Sequence, residues 1–310
     1  MSQLQNPQQA GEIACWHAAC YACSPMDQIE SIKQRLAAAC EVTVLTGAGI
    51  SADSGIPTFR GSGQASGSAS DWPGRGEHLP AGRQVGGSAS GGPHGPPHLE
   101  AGLWRNFRAE DLATPEAFAR NPQLVWEWYD WRRALIASKA PNAGHYTLAE
   151  IEKRSPRFTL ITQNVDGFHA LAGSRNLIEL HGNIWKVRCT RCGQVSANRD
   201  VPIQILPYCQ CASNSPSGRC EGLLRPHIVW FGEALDAIDI ENSVAALQSC
   251  DLLLVIGTSG VVWPAASFAE IAKSSGAFVV EVNLKPSAQS GVVDVALQGR
   301  ASEILPRLLS

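Results

Sequence analysis

The fold is decided by a β-branched run, Val42-Thr-Val-Leu45, and by the glycine-rich sequence that follows it, Thr46-Gly-Ala-Gly-Ile-Ser-Ala-Asp-Ser-Gly-Ile-Pro-Thr-Phe-Arg-Gly61. A buried strand that ends in a glycine turn before a helix is typical of nucleotide-binding α/β proteins. The glycines let the backbone approach a pyrophosphate, and the helix N-terminus supplies N–H donors. Ala52 stands where the third glycine of GxGxxG is usual, so a plain tight turn remains the alternative.

Helical and strand patterns alternate on both sides of this motif. Apolar residues recur at helical spacing from Asp27 to Cys40, and Asn121-Pro122 is a cap and first-turn proline that predicts another helix. Further short apolar runs predict strands at Phe158–Thr162, Leu177–Leu180, His227–Phe231, Leu252–Ile256 and Phe278–Val282. The rhythm predicts an α/β fold with a doubly wound parallel sheet, Rossmann-like, covered by helices on both faces.

Composition excludes several classes of protein. The 310 residues carry a net charge of −3 and only 17% charged side chains, which argues against direct nucleic-acid binding. No apolar run approaches the roughly 20 residues that cross a bilayer. Residues 1–26 contain no Lys or Arg and are interpreted as a disordered tail without a targeting signal. Residues 62–98, rich in Gly, Ser and Pro, are predicted to be a disordered insertion.

Five of the ten cysteines cluster late in the chain, in a segment predicted as a small inserted module over residues 186–224. The Cys189-x-x-Cys192 pair followed by further thiols favours a structural, four-thiolate zinc site over free thiols in a loop. The remaining ligands come from Cys209, Cys211 and Cys220.

Three further groups of polar residues are candidates for chemistry. Gln163, Asn164 and Asp166 follow a predicted strand, although Asn and Asp there could simply form a turn. His181 also follows a strand, where its ordinary pKa suits a general base, although a lone histidine is more often structural. Tyr129 and Arg132, three apart on a helix, share a face and could grip a carboxylate, or could merely pack and be solvated.

The sequence resembles the sirtuins, NAD-dependent protein-lysine deacylases, over about residues 27–310 outside the insertion. Gly47–Gly61 matches every fixed position of their GAGxSxxSGIPxFRG motif, and the resemblance continues through Thr162-Gln-Asn-Val-Asp-Gly-Phe-His169, His181-Gly182, Val229-Trp-Phe-Gly-Glu233 and Gly257-Thr-Ser259. Tyr129-x-x-Arg132 resembles the class III type, which removes succinyl, malonyl and glutaryl groups. A helical lobe over residues 99–140 is then expected to border the substrate cleft.

The resemblance implies the reaction and a role for each matching residue. The acyl oxygen attacks the ribose carbon of NAD as nicotinamide leaves, His181 is the base, and 2'-O-acyl-ADP-ribose is released. Asn164 is a second catalytic residue. The resemblance also implies Cys220 as the fourth zinc ligand; the third is Cys209 or Cys211, with Cys209 favoured because Leu206-Pro-Tyr208 before it resembles the family's lead-in. The implied cofactor residues are Gly47, Ala48, Gly49, Ser51, Asp53, Thr58, Phe59, Arg60, Gln163, Asn164, Asp166, Gly257, Thr258, Ser259, Asn283, Leu284, Lys285 and Ala301. The implied substrate residues are Tyr129, Arg132, Val229, Trp230, Phe231, Gly232 and Glu233, the backbone of Val229–Phe231 pairing with the peptide as an added strand.

Other functions are disfavoured but stay open. A general NAD-dependent protein-lysine deacetylase is the alternative if Tyr129 and Arg132 do not select acidic acyl groups. An NAD-binding regulator could lack the base, and a hydride-transfer dehydrogenase would have the third glycine. A zinc-ribbon nucleic-acid module would need more basic residues between Cys189 and Cys220. The expected partners are acyl-lysine proteins, with the chain a monomer away from membranes, cytoplasmic or nuclear by sequence and mitochondrial by resemblance.

Overall fold

A computed structural model of the protein describes residues 25–57, 109–212 and 217–310. The predicted tail, apart from its last two residues, and the predicted insertion at 62–98 lie outside these ranges.

The helices are α1 (Pro25–Ala38), α2 (Ala48–Ala52), α3 (Ala109–Leu112), α4 (Pro115–Arg120), α5 (Pro122–Ala137), α6 (Ala143–Arg154), α7 (Phe168–Ala172), α8 (Ala237–Ser249), α9 (Phe268–Ser274) and α10 (Ala301–Ile304). The strands are β1 (Glu41–Thr46), β2 (Arg157–Thr162), β3 (Leu177–Glu179), β4 (Gly182–Cys189), β5 (Val195–Ala197), β6 (Leu224–Ile228), β7 (Leu252–Ile256), β8 (Phe278–Asn283) and β9 (Val295–Gln298).

Six strands form a parallel sheet in the order β3-β2-β1-β7-β8-β9. Strand β1 lies inside it, and its side chains alternate between the two faces, so that Val44 and Leu45 belong to separate buried clusters. Both faces are therefore covered. The predicted doubly wound, Rossmann-like α/β fold is confirmed.

A second, antiparallel sheet of three strands has the order β5-β4-β6. The predicted strand His227–Phe231 is wrong in both extent and partner, because β6 spans Leu224–Ile228 and pairs with β4, Cys189 opposite Leu224. A short apolar run does not reveal which sheet its backbone joins. Here the cysteine-containing turns between β4 and β6 bring β6 antiparallel to β4, so it joins the small sheet and not the large parallel one.

Helix α5 joins the small sheet to the rest of the molecule. The Asn121 side chain caps it by accepting from the Leu124 amide at 3.1 Å, as the Asn-Pro pair predicted. Trp126 donates its indole N–H to the Leu224 carbonyl of β6 at 2.9 Å. Arg133 is buried, not solvated, and donates to the Ile184 carbonyl of β4 at 3.1 Å. The helix carrying Tyr129 and Arg132 is thus fixed to β4 and β6.

Within the described ranges, no helix is both long enough and apolar enough to cross a bilayer.

Candidate active site

The loops after β1 and β7 touch through their glycines. Gly49 N–H donates to the Gly257 carbonyl at 2.8 Å, and Gly47 N–H donates to the Ile256 carbonyl at 2.9 Å. A Cβ on Gly49 would lie 2.6 Å from the Gly257 Cα, and Gly257 has a φ of +60°. Backbone packing between the two loops therefore requires these glycines. The cleft lies at the carboxyl ends of the parallel strands, where doubly wound folds bind nucleotides.

Polar side chains of neighbouring strands close the floor of this cleft. Gln163, after β2, donates its Nε2 to the Thr258 hydroxyl at 3.1 Å. Asn283, at the end of β8, donates its Nδ2 to the Thr258 carbonyl at 2.8 Å. Ser259 follows, and its carbonyl accepts from the Ala288 amide. The structure thus brings together the predicted cofactor residues that follow β2, β7 and β8.

Ser51, on the short helix α2, is the centre of a buried network. Its Oγ lies 2.7 Å from Asp166 Oδ2, 3.2 Å from Asn164 Nδ2 and 3.3 Å from His145 Nε2. His145 Nδ1 accepts from the Asn142 amide at 3.2 Å, so the neutral ring carries its proton on Nε2 and donates it to Ser51. The Ser51 hydroxyl then donates to the Asp166 carboxylate. The serine is therefore committed to orienting Asp166 and Asn164.

Three buried groups in and beside this network, one carboxyl and two imidazoles, have shifted pKa values. Burial raises the pKa of Asp166 above its ordinary range, while hydrogen bonds from the Phe168 amide and Ser51 oppose the rise. Burial lowers the pKa of His145 to about 4. His169 lies on α7, its Nε2 2.9 Å from the Thr46 hydroxyl, and burial holds its pKa well below the ordinary value. Both histidines are neutral at physiological pH.

His181 lies just beyond β3 with a defined tautomer. Its Nδ1 is 2.9 Å from the Gln163 carbonyl, which can only accept, so Nδ1 carries the proton and donates it. Nε2 is then the unprotonated nitrogen. Burial lowers the pKa of His181, and the bond to Gln163 partly opposes this shift. A neutral imidazole with a free Nε2 lone pair is the form that a general base requires.

Asn164 is anchored to the glycine loop. Its Nδ2 donates to the Gly47 carbonyl at 3.1 Å as well as to Ser51, and its backbone amide donates to the Thr162 hydroxyl at 3.1 Å. Both hydrogens of the Asn164 amide nitrogen are thus donated to acceptors of the protein itself. A ligand in the cleft would meet the amide oxygen.

Tyr129 and Arg132 of α5 lie beside this site. Tyr129 is buried, and its hydroxyl accepts a 2.9 Å hydrogen bond from Trp230 Nε1, which leaves the phenol's own hydrogen for an acceptor. Burial raises the Tyr129 pKa to about 12, although the Arg132 charge opposes the rise. The Arg132 guanidinium lies 4.8 Å from the Trp128 ring centre and close enough to Asp166 for the two charges to interact. The Tyr129 phenol and the Arg132 cation therefore lie close to one another, and the cation is within charge range of the Asp166 carboxylate.

The Val229–Glu233 segment is held by its own chain. Val229 N–H donates to the His181 carbonyl at 3.0 Å, Phe231 N–H to the Ala113 carbonyl at 2.9 Å, and Trp230 N–H to the Glu233 carboxylate at 2.9 Å. The predicted strand addition at Val229–Phe231 therefore cannot use these amide donors in this structure. Gly232 and Phe231 are exposed, next to the cleft.

Glu233 was expected to touch substrate but pairs with Arg225. The Arg225 guanidinium donates to both carboxylate oxygens, at 2.5 and 2.8 Å, and lies 3.4 Å from the Trp230 ring centre. The pair lowers the pKa of Glu233 against the effect of its burial. Glu233 and Arg225 position Trp230 and, through it, the Tyr129 hydroxyl.

The remaining predicted cofactor residues have mixed surroundings. Asp53 accepts from Arg300 Nη1 and the Ser302 hydroxyl, both at 2.7 Å, so its carboxylate ties α2 to α10. Leu284 and Lys285 are exposed beyond β8, whereas the Ala301 side chain is buried in the core. Ala48 opens α2. Predicted residues Thr58, Phe59 and Arg60 lie outside the described residues.

Four thiols meet at the small sheet. The Sγ atoms of Cys189, Cys192, Cys209 and Cys220 all lie within 4.8 Å of one another. The Cys189–Cys220 and Cys192–Cys209 sulfur separations are 3.6 and 3.8 Å. Tetrahedral bonds of about 2.3 Å to zinc place sulfurs nearly that far apart, so the donor set fits a structural zinc ion. Cys211 lies outside the set.

Sequence reasoning missed His145, Arg225 and Arg300. His145 had a local signal, because Asn142 three residues earlier caps α6 and the two form a reciprocal capping pair. Arg225 and Arg300 had none. Glu233 and Asp53, which form ion pairs with Arg225 and Arg300, were interpreted from sequence as substrate and cofactor residues, so neither ion pair was predicted.

The fold and site define a class of enzyme that binds NAD in the cleft of a Rossmann-like domain. Residues 89–264 match the Sir2 family. The chain is 44% identical to the NAD-dependent protein deacylase 2 of Pyrobaculum aerophilum over 280 residues, covering 90% of this chain and 94% of that protein. It is 36% identical to the mitochondrial NAD-dependent protein deacylase sirtuin-5 of Canis lupus familiaris, covering 99% and 92%.

Solved structures agree with these relatives. A crystal structure of a Sir2 homologue in complex with NAD has a TM-score of 0.71 and 36% sequence identity, covering 90% of this chain and 92% of that chain. The chain belongs to the Sir2 family, the sirtuins, which are NAD-dependent protein deacylases.

Proposed function

We propose that this sirtuin removes acidic acyl groups, namely succinyl, malonyl and glutaryl, from lysine side chains of proteins. The coarser activity, NAD-dependent protein deacylation, follows from its family. The single observation that carries the finer proposal is that the buried Tyr129 phenol and the Arg132 guanidinium are electrostatic neighbours on α5, with Arg132 also within charge range of Asp166.

A buried carboxylate needs a charge partner and directed donors. Arg132 supplies the positive charge, and Tyr129 supplies an O–H whose acceptor side is already occupied by Trp230. Burial keeps the phenol protonated, so it donates instead of repelling an anion. An acetyl group has no carboxylate, so it offers neither the charge nor the acceptors that would distinguish an acidic acyl group at these two side chains.

The cofactor cleft fits NAD. Gly47 and Gly49 allow a close backbone approach at the N-terminus of α2, and Gln163, Asn164 and Asp166 line the same edge of the sheet. NAD supplies the electrophilic ribose carbon and the nicotinamide leaving group. Asn164 would present its amide oxygen, and Ser51 holds the Asp166 carboxylate in place.

His181 would hold and move the proton. Because Nδ1 donates to the Gln163 carbonyl, Nε2 is the nitrogen that accepts a proton from a ribose hydroxyl. The lowered pKa keeps the ring in its basic form at neutral pH. The bond to Gln163, itself a cofactor-binding candidate, couples the position of the base to that of the bound ribose.

We also propose a structural zinc ion at Cys189, Cys192, Cys209 and Cys220. Three of the four thiols are buried, and a four-thiolate set leaves no position open for water. The ion would hold Cys209 and Cys220, which come shortly before β6. Trp230 follows two residues after the end of β6.

The proposal is tested with one peptide carrying acetyl, malonyl, succinyl or glutaryl lysine, incubated with and without NAD and analysed by mass spectrometry. We expect NAD-dependent loss of the acidic groups with much higher kcat/KM than loss of acetyl. Equal turnover of acetyl and succinyl peptides would favour the alternative of a general deacetylase. A solved structure of a Sir2 with a p53 peptide and NAD+, 26% identical to this chain with a TM-score of 0.67, supports a peptide substrate.

A further inference from the structure

Cys211 is a fifth thiol beside the four-cysteine site, and the zinc proposal gives it no role. It lies two residues beyond Cys209 and is half-buried, whereas Cys209 and Cys220 are buried. Among the described cysteines, only these five lie near the small sheet, since Cys40 and Cys250 belong to the large one.

The contacts of Cys211 join it to two members of the site. Its carbonyl accepts from the Cys220 amide at 2.9 Å. Its backbone N–H and its side chain both contact the Cys209 thiol, and the side chain packs against the buried cysteine cluster. Cys211 is therefore adjacent to Cys209 and partly open to solvent.

The four thiols are closely packed against the backbone around Gly222. Cys209 N–H donates to the Gly222 carbonyl at 2.8 Å. A Cβ on Gly222 would lie 2.5 Å from Cys189 Sγ, so the sulfur fills the space where a side chain would be. A change at Cys209 thus acts on a closely packed group of sulfurs.

We propose that Cys211 is an oxidation site at which a hydroperoxide forms a Cys209–Cys211 disulfide and so removes one thiol from the metal-binding set. The pairing follows from the side-chain contact with Cys209. Cys211 meets Cys220 through the backbone.

The reaction balances with the hydroperoxide as the two-electron oxidant. The Cys211 sulfur takes the terminal oxygen and becomes a sulfenic acid, while the O–O bond breaks and an alcohol, or water from hydrogen peroxide, is released. The Cys209 thiolate then attacks the Cys211 sulfur, the S–O bond breaks, and the oxygen leaves as hydroxide, which takes a proton from solvent to become water. A thiol reductant reverses the change.

The consequence reaches the acyl pocket through β6. Three remaining thiols hold zinc less firmly than four. Loss of the zinc ion would free Cys209 and Cys220, which precede β6 and its first residue Leu224. The Leu224 carbonyl accepts the Trp126 indole N–H, and two residues beyond the end of β6 lies Trp230, which orients Tyr129. Oxidation would therefore reversibly inactivate the enzyme at a distance from the catalytic residues.

The test uses the full chain loaded with zinc and exposed to hydrogen peroxide, with a chromogenic chelator recording zinc release. Cys211→Ser is compared with wild type, and Cys40→Ser is the matched control at a distant exposed thiol. We expect zinc release in Cys211→Ser to be at least about fivefold slower than in wild type, while Cys40→Ser behaves as wild type. Equal release rates in wild type and Cys211→Ser would overturn the proposal, as would a Cys211→Ser protein that fails to bind zinc, since Cys211 would then be a ligand.

Tryptic mapping identifies the bond independently of activity. Arg199 and Arg219 place Cys209 and Cys211 on one peptide, whereas Cys189, Cys192 and Cys220 each begin or lie on another. The proposed disulfide is an internal loss of two hydrogens in the 200–219 peptide, restored by dithiothreitol. A cross-link from that peptide to the one beginning at Cys220 would contradict the pairing.

Discussion

The Trp230 indole N–H donates to the Tyr129 hydroxyl at 2.9 Å, and both side chains are almost completely buried. This bond fixes which way the phenol can donate, since one lone pair of its oxygen is already occupied. Trp230 is held in turn by Arg225, stacked 3.4 Å from its ring centre, and by Glu233, which accepts its backbone N–H. Selectivity for the acyl group would thus depend on residues well behind the pocket wall.

Replacing Arg132 by Met should abolish the preference for acidic acyl groups. We expect succinyl-peptide kcat/KM to fall by about 2 to 4 kcal/mol, on the order of 30- to 1,000-fold, because a partly desolvated charge pair is lost. Acetyl-peptide turnover should be unchanged or higher. Steady-state kinetics on matched peptides measures both. Arg132→Lys, which keeps the charge without the planar fork, should fall between them. An equal loss for both acyl groups would contradict the assignment.

Trp230→Phe removes the N–H while keeping an aromatic ring against Arg225. The Tyr129 hydroxyl then loses its fixed orientation, and we expect succinyl-peptide KM to rise by about fivefold, near 1 kcal/mol, with little change in kcat. Acetyl KM should change much less. In a double-mutant cycle with Tyr129→Phe, the two effects should not add, because one acts through the other. Additive effects would show that Trp230 does not act through Tyr129.

Most of the large sheet could be predicted because buried parallel strands are continuous apolar runs, as at Leu252–Ile256. Strand β9, Val295–Gln298, was missed because it is a short edge strand whose residues alternate between buried and exposed. The strand predicted at His227–Phe231 begins three residues late. Its true start contains Arg225, whose charge hides the pattern but is neutralised by Glu233.

The site could be predicted only in part, because motifs reveal residues that are neighbours in the chain and not contacts between distant segments. The glycine loop and the Gln163–Asp166 group are local and were therefore found. The network at Ser51 joins it to His145, 94 residues away, and to Asp166, 115 residues away. Such pairing depends on how α2, α6 and the β2 loop pack, and no local pattern encodes it. The four-thiol set was found because zinc ligands have regular spacing.

His181→Ala should leave NAD binding intact while slowing deacylation by about 10²- to 10⁴-fold, the usual contribution of a positioned general base. Calorimetric titration with NAD and single-turnover kinetics separate the two quantities. His227→Ala removes a half-buried histidine of β6 that no motif places in the site, and it is the matched control. Turnover near wild type in His181→Ala would remove it from this role.

The pH profile of turnover should extend to unusually low pH on its acidic side. Burial lowers the pKa of His181, so the ring stays neutral, and able to accept a proton, below the ordinary histidine pKa of 6.5. Activity should fall only as pH drops through this lowered value. Measured at saturating peptide and NAD, an acidic limb at or above pH 6.5 would contradict the assignment of the neutral ring as the base.

Stability should depend on pH through His145, whose pKa is about 4 in the folded protein against 6.5 for an ordinary histidine. The pKa of His145 is lower in the folded protein than in the unfolded chain. Between these two pKa values the unfolded chain binds a proton that the folded protein does not, so acid favours unfolding. Stability is therefore fully present above pH 6.5 and is lost as pH falls towards 4. Between pH 7 and pH 5 this single group should cost about 2 kcal/mol of the free energy of unfolding.

His145→Gln isolates this contribution. The variant should be less stable than wild type at pH 7, because the bonds to Ser51 and to the Asn142 amide are altered. It should nevertheless lose about 2 kcal/mol less than wild type on going from pH 7 to pH 5, since the titrating group is gone. Urea unfolding at the two pH values measures the difference directly. Parallel losses in the two proteins would mean that His145 is protonated in the folded state near pH 5, and that the Ser51 network is not built on a neutral ring.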